Sequence, residues 1–155
     1  MFVALLLVDL LVNGAQVSFA MLRPAYSFHN AATNIRDIVR QEPAHSQVVI
    51  ADNAHEIALS SGLRPVNLLF HSASITEQMR RYQPGWWIQL APIDDGRCFR
   101  EVLSKAYSAQ NRGEWQIFYP GQRLVLWKLE RLPGTSLPDT LSAKETAACA
   151  PPVYN

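Results

Sequence analysis

The stretch Val48 to Gly62 reads VVIADNAHEIALSSG. A carboxylate, an amide, an imidazole and a second carboxylate (Asp52, Asn53, His55, Glu56) follow directly on a short run of β-branched residues. Open parallel sheets bind ligands beyond the carboxyl ends of their strands. Two further strand ends offer His71 with Ser72, and Asp94 with Asp95. Brought together, these groups have the right types for a metal site or a carboxylate–imidazole acid/base pair. A small hydrolase would then use Asp52, His55 and His71. The same residues also have a plainer use. Asn53 is a good helix N-cap and Glu56 falls three residues on, the spacing of a capping box. Asp52 and Glu56 suit the positive end of a helix dipole, and Asp94 and Asp95 are ordinary helix starters. Leu59 stands where a zinc-protease H-E-x-x-H pattern needs its second histidine. The plainer use is preferred. It leaves Asp52, His55, Glu56 and His71 as rim contacts for a ligand at most, with no catalytic residue, metal or cofactor assigned.

These residues need a sheet behind them. Val48 to Ala51 is short, continuous and β-branched, as a buried strand is. Before it, Asn30 can cap a helix to about Glu42 whose stripe is Ala31, Ile35, Ile38 and Val39, stopped by Pro43. Ala54 to Ser61 reads as a helix closed by Gly62. Strands are expected at Val66 to Phe70 and Trp86 to Leu90, with a helix from Ser74 to about Tyr82 between them. A helix from Asp94 or Asp95 to about Tyr107 should turn Phe99, Val102, Leu103 and Ala106 inward. Glu114 to Tyr119 and Arg123 to Arg131 form a hairpin, and Tyr119-Pro120-Gly121-Gln122 fits a type II turn. The expected fold class is α/β: a small mainly parallel sheet with helices on both faces and a C-terminal antiparallel hairpin. Trp86 and Trp87 point to opposite faces, so at most one could stack on a sugar; core packing is the preferred role for the pair.

Residues 1 to 22 are of another kind. Seventeen of them are apolar and none is basic. About 20 apolar residues cross a bilayer as a helix. Asp9 costs about 2.5–3.5 kcal/mol at mid-span, and each Leu or Val returns only about 0.3–0.6 kcal/mol, so insertion is favourable by a modest margin. Asp9, Asn13 and Gln16 share one helical face, which suits contact with other helices rather than lipid. A transmembrane helix is preferred over a cleaved signal ending near Ser18-Phe19-Ala20 and over a buried soluble helix. Residues 23–132 then form an extracytoplasmic domain, and residues 133–155, rich in Pro, Ser, Thr and Ala, are expected to be disordered. Net charge is +1 and Arg80-Arg81 is the only basic doublet, which argues against nucleic acid as a partner. No G-x-G-x-x-G, P-loop or G-x-S-x-G occurs. Cys98 and Cys149 are read as free thiols, pairing in an oxidising compartment being the alternative.

The layout LRPAYSFHNAATNIRDIVRQEPAHSQVVIADNAHEIALSSGLRPVN, followed later by YPGQRLVLWKLERL, resembles the C-terminal extracytoplasmic domain of bacterial multi-spanning glycosyltransferases akin to the dolichyl-phosphate-mannose–protein mannosyltransferases. The resemblance covers roughly residues 1 to 132. Ala54, Ala58, Leu59 and Gly62 fill the places of its small-residue helix. It implies transfer of a sugar from a polyprenyl-phosphate donor at the outer face of the inner membrane, with the soluble domain periplasmic and other transmembrane helices as partners. The family's catalytic acid lies in a first extracytoplasmic loop that this chain does not contain. No catalytic residue carries over, and Asp9 does not take that role. Competence as an enzyme is left open, and the chain is expected to be a fragment, a separately encoded C-terminal part or a mis-started frame. A membrane-anchored binding module is the other reading.

Overall fold

The computed structural model describes residues 12–14, 28–51, 53–67, 75–92, 96–117 and 121–149. The predicted span thus lies outside the described residues except for 12–14, which are helical. Among the described residues no helix is long and apolar enough to cross a membrane.

Helix α1 (Phe28–Val39) buries Ala31, Ala32, Ile35 and Val39, close to the stripe that the 3.6-residue period predicts. It starts two residues before Asn30, so Asn30 sits inside the first turn rather than capping it. Pro43 then leads into a three-ten turn (Ala44–Ser46). Strand β1 (Val49–Ala51) is buried throughout. Helix α2 (Ala54–Ser61) ends at Gly62, whose φ of 71° is the left-handed conformation that favours glycine. Strand β2 (Val66–Asn67) follows, then helix α3 (Ile75–Tyr82) and strand β3 (Trp86–Ala91). Gln83 closes α3 at φ 43°, the one non-glycine with positive φ among the described residues.

After β3 the sequence expectation fails. Helix α4 covers only Arg97–Glu101, a three-ten turn takes Leu103–Lys105, and strand β4 runs Tyr107–Gln116. Val102, Leu103 and Ala106 are buried as expected, but the turn achieves this without a long helix. The chain reverses so that β4 can pair along its length with β5 (Arg123–Arg131), from Tyr107 opposite Arg131 to Gln116 opposite Arg123. That ladder outweighs the modest helix propensity of residues 102–107. A bulge interrupts it between Asn111 and Gly113. Gly113 has no room for a Cβ, which would lie 2.5 Å from the Trp115 ring. Gly121, at φ 81°, fits the third position of the predicted type II turn.

The strand order is β2-β1-β3-β5-β4. β1 pairs in parallel with β2 and with β3, over two and three residue pairs. β3–β5 and β5–β4 are antiparallel over six and nine pairs. The sheet is therefore mixed, with most of its pairing antiparallel; the expectation of a mainly parallel sheet is corrected. The parallel part contributes few pairs because β1 and β2 are only three and two residues long.

Two cores flank the sheet. On one side α1 and α2 pack on Val49, Trp86, Ile88, Leu124 and Leu126. On the other, Ile75 and Met79 of α3 join Trp87, Val102, Leu103, Tyr107 and Leu129. Trp86 and Trp87 thus go to opposite faces, and both are core residues.

The segment expected to be disordered is ordered over residues 133–149. Leu137 and Cys149 belong to the second core. Arg80 donates to the Leu137 and Pro138 carbonyls at 3.0 and 2.9 Å and pairs with Asp139 at 2.7 Å. Cys98 and Cys149 form a disulfide, so the free-thiol expectation is also corrected. A cross-link and a cluster of hydrogen bonds order a segment whose few apolar residues carry no periodicity.

The tail's helix α5 (Ala143–Ala148) opens with a complete capping box between Ser142 and Glu145. Lys105 pairs with Glu145 across the contact. Hydrogen bonds from Lys105, then from the Ser142 side chain and backbone, hold the Glu145 carboxyl down from the ordinary 4.5 to about 2. A depressed carboxyl stabilises the fold above its unfolded pKa and loses that effect as pH falls through the folded value. The amide signals of α5 should therefore weaken between about pH 4.5 and 2, ahead of those of β3 and β5. Glu145→Gln should abolish this early phase; a Glu145 carboxyl titrating near 4.5 by NMR would refute it.

Candidate functional site

Of the residues that the sequence singles out, Asp52, His71, Ser72, Asp94 and Asp95 lie outside the described residues. His55 and Glu56 stand at the first turn of α2. Their side chains are 75% and 54% exposed, with His55 Nε2 3.8 Å from Glu56 Oε1. Asn53 occupies the N-cap position but makes no side-chain bond to the helix backbone. Its Nδ2 instead donates to Glu56 Oε2 at 3.2 Å, and its Oδ1 is buried without a hydrogen-bond partner. The predicted capping box is thus replaced by a side-chain contact. Among the described residues no three histidines, cysteines or acids stand close enough to share a metal ion.

An aromatic recess lies on the α3/α4 face of the sheet. It encloses about 250 Å³ among Trp87, Gln89, Gly96, Phe99, Ala109 and Trp127, with Arg100 at its border. Strand alternation creates it: Trp87 and Gln89 are two apart on β3, so they share a face. Trp127 of β5 sits directly opposite Trp87 in the ladder. The indoles stack with centroids 6.0 Å apart, and Phe99 of α4 stacks on Trp87 at 5.3 Å. Trp127 Nε1 donates to Gln89 Oε1 at 2.8 Å, which fixes both side chains. Gly96, at φ 70°, lets the chain pass close by; a Cβ there would lie 3.3 Å from Gln89 Nε2. The disulfide ties α4 to the tail one residue before Phe99.

No protein-family model, curated protein or solved structure matches this chain. The chemistry of the recess is therefore read from its own walls. Among the described residues they are aromatic, amide and guanidinium groups, with no carboxylate, imidazole or thiol. Aromatic faces with an amide and a guanidinium beside them suit a ligand with both apolar and hydroxylated surfaces. The available signal in the sequence was Gln89, the one polar residue in the strand WWIQLA. A buried glutamine two residues from a tryptophan marks a face that is only partly core.

Proposed function

We propose that residues 28–149 act as the extracytoplasmic, non-catalytic domain of a membrane glycosyltransferase system that uses a polyprenyl-phosphate-linked sugar, and that the recess holds a sugar ring. The aromatic recess with its Gln89–Trp127 pair carries the reading. The Cys98–Cys149 disulfide supports it, since stable disulfides belong to oxidising compartments. So does the apolar segment 1–22, whose polar face of Asp9, Asn13 and Gln16 suits contact with other transmembrane helices. A membrane-anchored sugar-binding module that works apart from a transferase would use the same recess.

Titration of the full chain, in a polyoxyethylene detergent, with a panel of hexoses and N-acetylhexosamines tests the site. At least one sugar should shift the Trp87 and Trp127 indole N–H signals saturably. Trp127→Ala should weaken that binding by roughly ten-fold, the scale of a lost aromatic contact. Sugars that leave both indoles unmoved, or that bind Trp127→Ala as well as the parent, would rule out the recess.

A further inference from the structure

A second concavity lies at the opposite end of β3, where the strand begins and β5 ends. It is an open groove of about 640 Å³. The turn Gln83–Gly85, His45 and Ser46 of the three-ten turn, Tyr107, and Lys128 to Arg131 line it. Arg81 of α3 also lines it, so among the described lining residues three are permanent cations, Arg81, Lys128 and Arg131, against one acid, Glu130. Lys128 is already used: it pairs with Glu42 at 3.1 Å and lies 4.5 Å from the Trp86 ring centre. Arg81 and Arg131 have no carboxylate partner among the described residues. Arg81 rests 5.5 Å from the centre of the Tyr82 ring. Arg131 Nη2 donates to the Thr135 carbonyl at 3.5 Å. The groove is net positive even with Glu42 and Glu130 both counted.

Its backbone is held tightly. A Cβ on Gly85 would lie 2.6 Å from the Ser46 carbonyl oxygen, so the two turns meet backbone to backbone. Gln83 at φ 43° occupies the left-handed conformation that disfavours a non-glycine residue. Glycine would relieve that strain, yet an amide side chain stands there, on the groove wall. Strain of this kind collects at ligand sites. Tyr107 donates to the Met79 carbonyl at 3.3 Å, and burial raises its pKa against the opposing Arg131 charge, so the phenol stays neutral. Two guanidiniums, an amide and a neutral phenol suit an oxyanion carrying several acceptor oxygens.

We propose that this groove binds a phosphate-bearing ligand, with Arg81 and Arg131 as its anion contacts and Gln83 as an amide donor. The assignment is independent of the sugar recess, and either can fail alone. The full chain in a polyoxyethylene detergent would be titrated with inorganic pyrophosphate. In a second arm the micelles would be doped with phosphatidylglycerol or, as control, phosphatidylcholine. Amide shifts at residues 83–85 and 128–131 are the readout. Pyrophosphate binding without lipid marks a soluble phosphate ester; a response to phosphatidylglycerol alone marks a lipid headgroup; both support the groove. The Arg81→Gln/Arg131→Gln pair should weaken binding at least ten-fold with an unchanged melting temperature, because both side chains are exposed. The exposed pair Arg64→Gln/Arg112→Gln, away from the groove, should bind as the parent does. Gln83→Gly should melt higher yet bind several-fold more weakly. Absence of saturable shifts in both arms, or equal losses from the two arginine pairs, would overturn the site. Unchanged affinity in Gln83→Gly would remove Gln83 from it.

Discussion

Replacing Cys98 and Cys149 together by alanine is expected to destabilise the oxidised chain by roughly 4 kcal/mol, the loop-closure entropy of a link spanning this much chain. The cysteines are separated by 51 residues, so the bond restricts the unfolded chain over most of β4, β5 and the tail. The loss should be uneven. Leu137 and α5 should detach first, because Arg80 and the Lys105–Glu145 pair are their main other ties. Phe99, next to Cys98, should then leave its stack on Trp87. Denaturant unfolding of the parent, the double variant and the reduced parent measures this: the last two should share a midpoint well below the first. Coincident midpoints for all three would mean that the tail adds nothing to the fold.

Trp86→Ala is expected to cost about 3–5 kcal/mol, the range for truncating a large aromatic in a core. Trp86 is 0% exposed and packs beneath α1 and α2. Its loss also removes the ring under Lys128, whose side chain is only 15% exposed beside Glu42. Trp86→Phe should cost clearly less. The indole Nε1 is buried with no hydrogen-bond partner, so phenylalanine keeps much of the packing and removes an unsatisfied donor. Equal losses in the two variants, measured by chemical denaturation, would contradict this account.

Local signals in the sequence carried the elements whose burial follows a simple period. The stripe of α1, the continuous β1, the Gly62 stop and the opposite faces of Trp86 and Trp87 each follow from residue spacing. Pairing partners do not. β5 lies between β3 and β4 because their side chains complement each other across the sheet, which no local pattern encodes. The same competition turned residues 102–106 from helix into a turn. In the tail, Ser142-Ala-Lys-Glu145 does match the capping-box pattern, but the surrounding Pro, Ser and Thr outweighed it. The cross-link to Cys149 depended on α4 and the tail meeting, a long-range fact. At the candidate sites the sequence pointed to polar residues after β1, whereas the recess and the groove are made by residues from several elements. Trp127, Gln89, Arg81 and Arg131 stand far apart along the chain, and only the sheet brings them into two concavities.

Strand β4 lies at the margin of the five-stranded sheet, with β5 on one side. A ten-residue margin is the kind of strand on which a second strand can grow. Several features of this one discourage that. Its exposed positions include Arg112 and Glu114, whose charges resist desolvation. The offset at Asn111 and Gly113 spoils the even spacing that an incoming strand needs, and the Trp115 indole lies against that glycine. The irregularity thus makes this margin a poor template for fibril-like stacking.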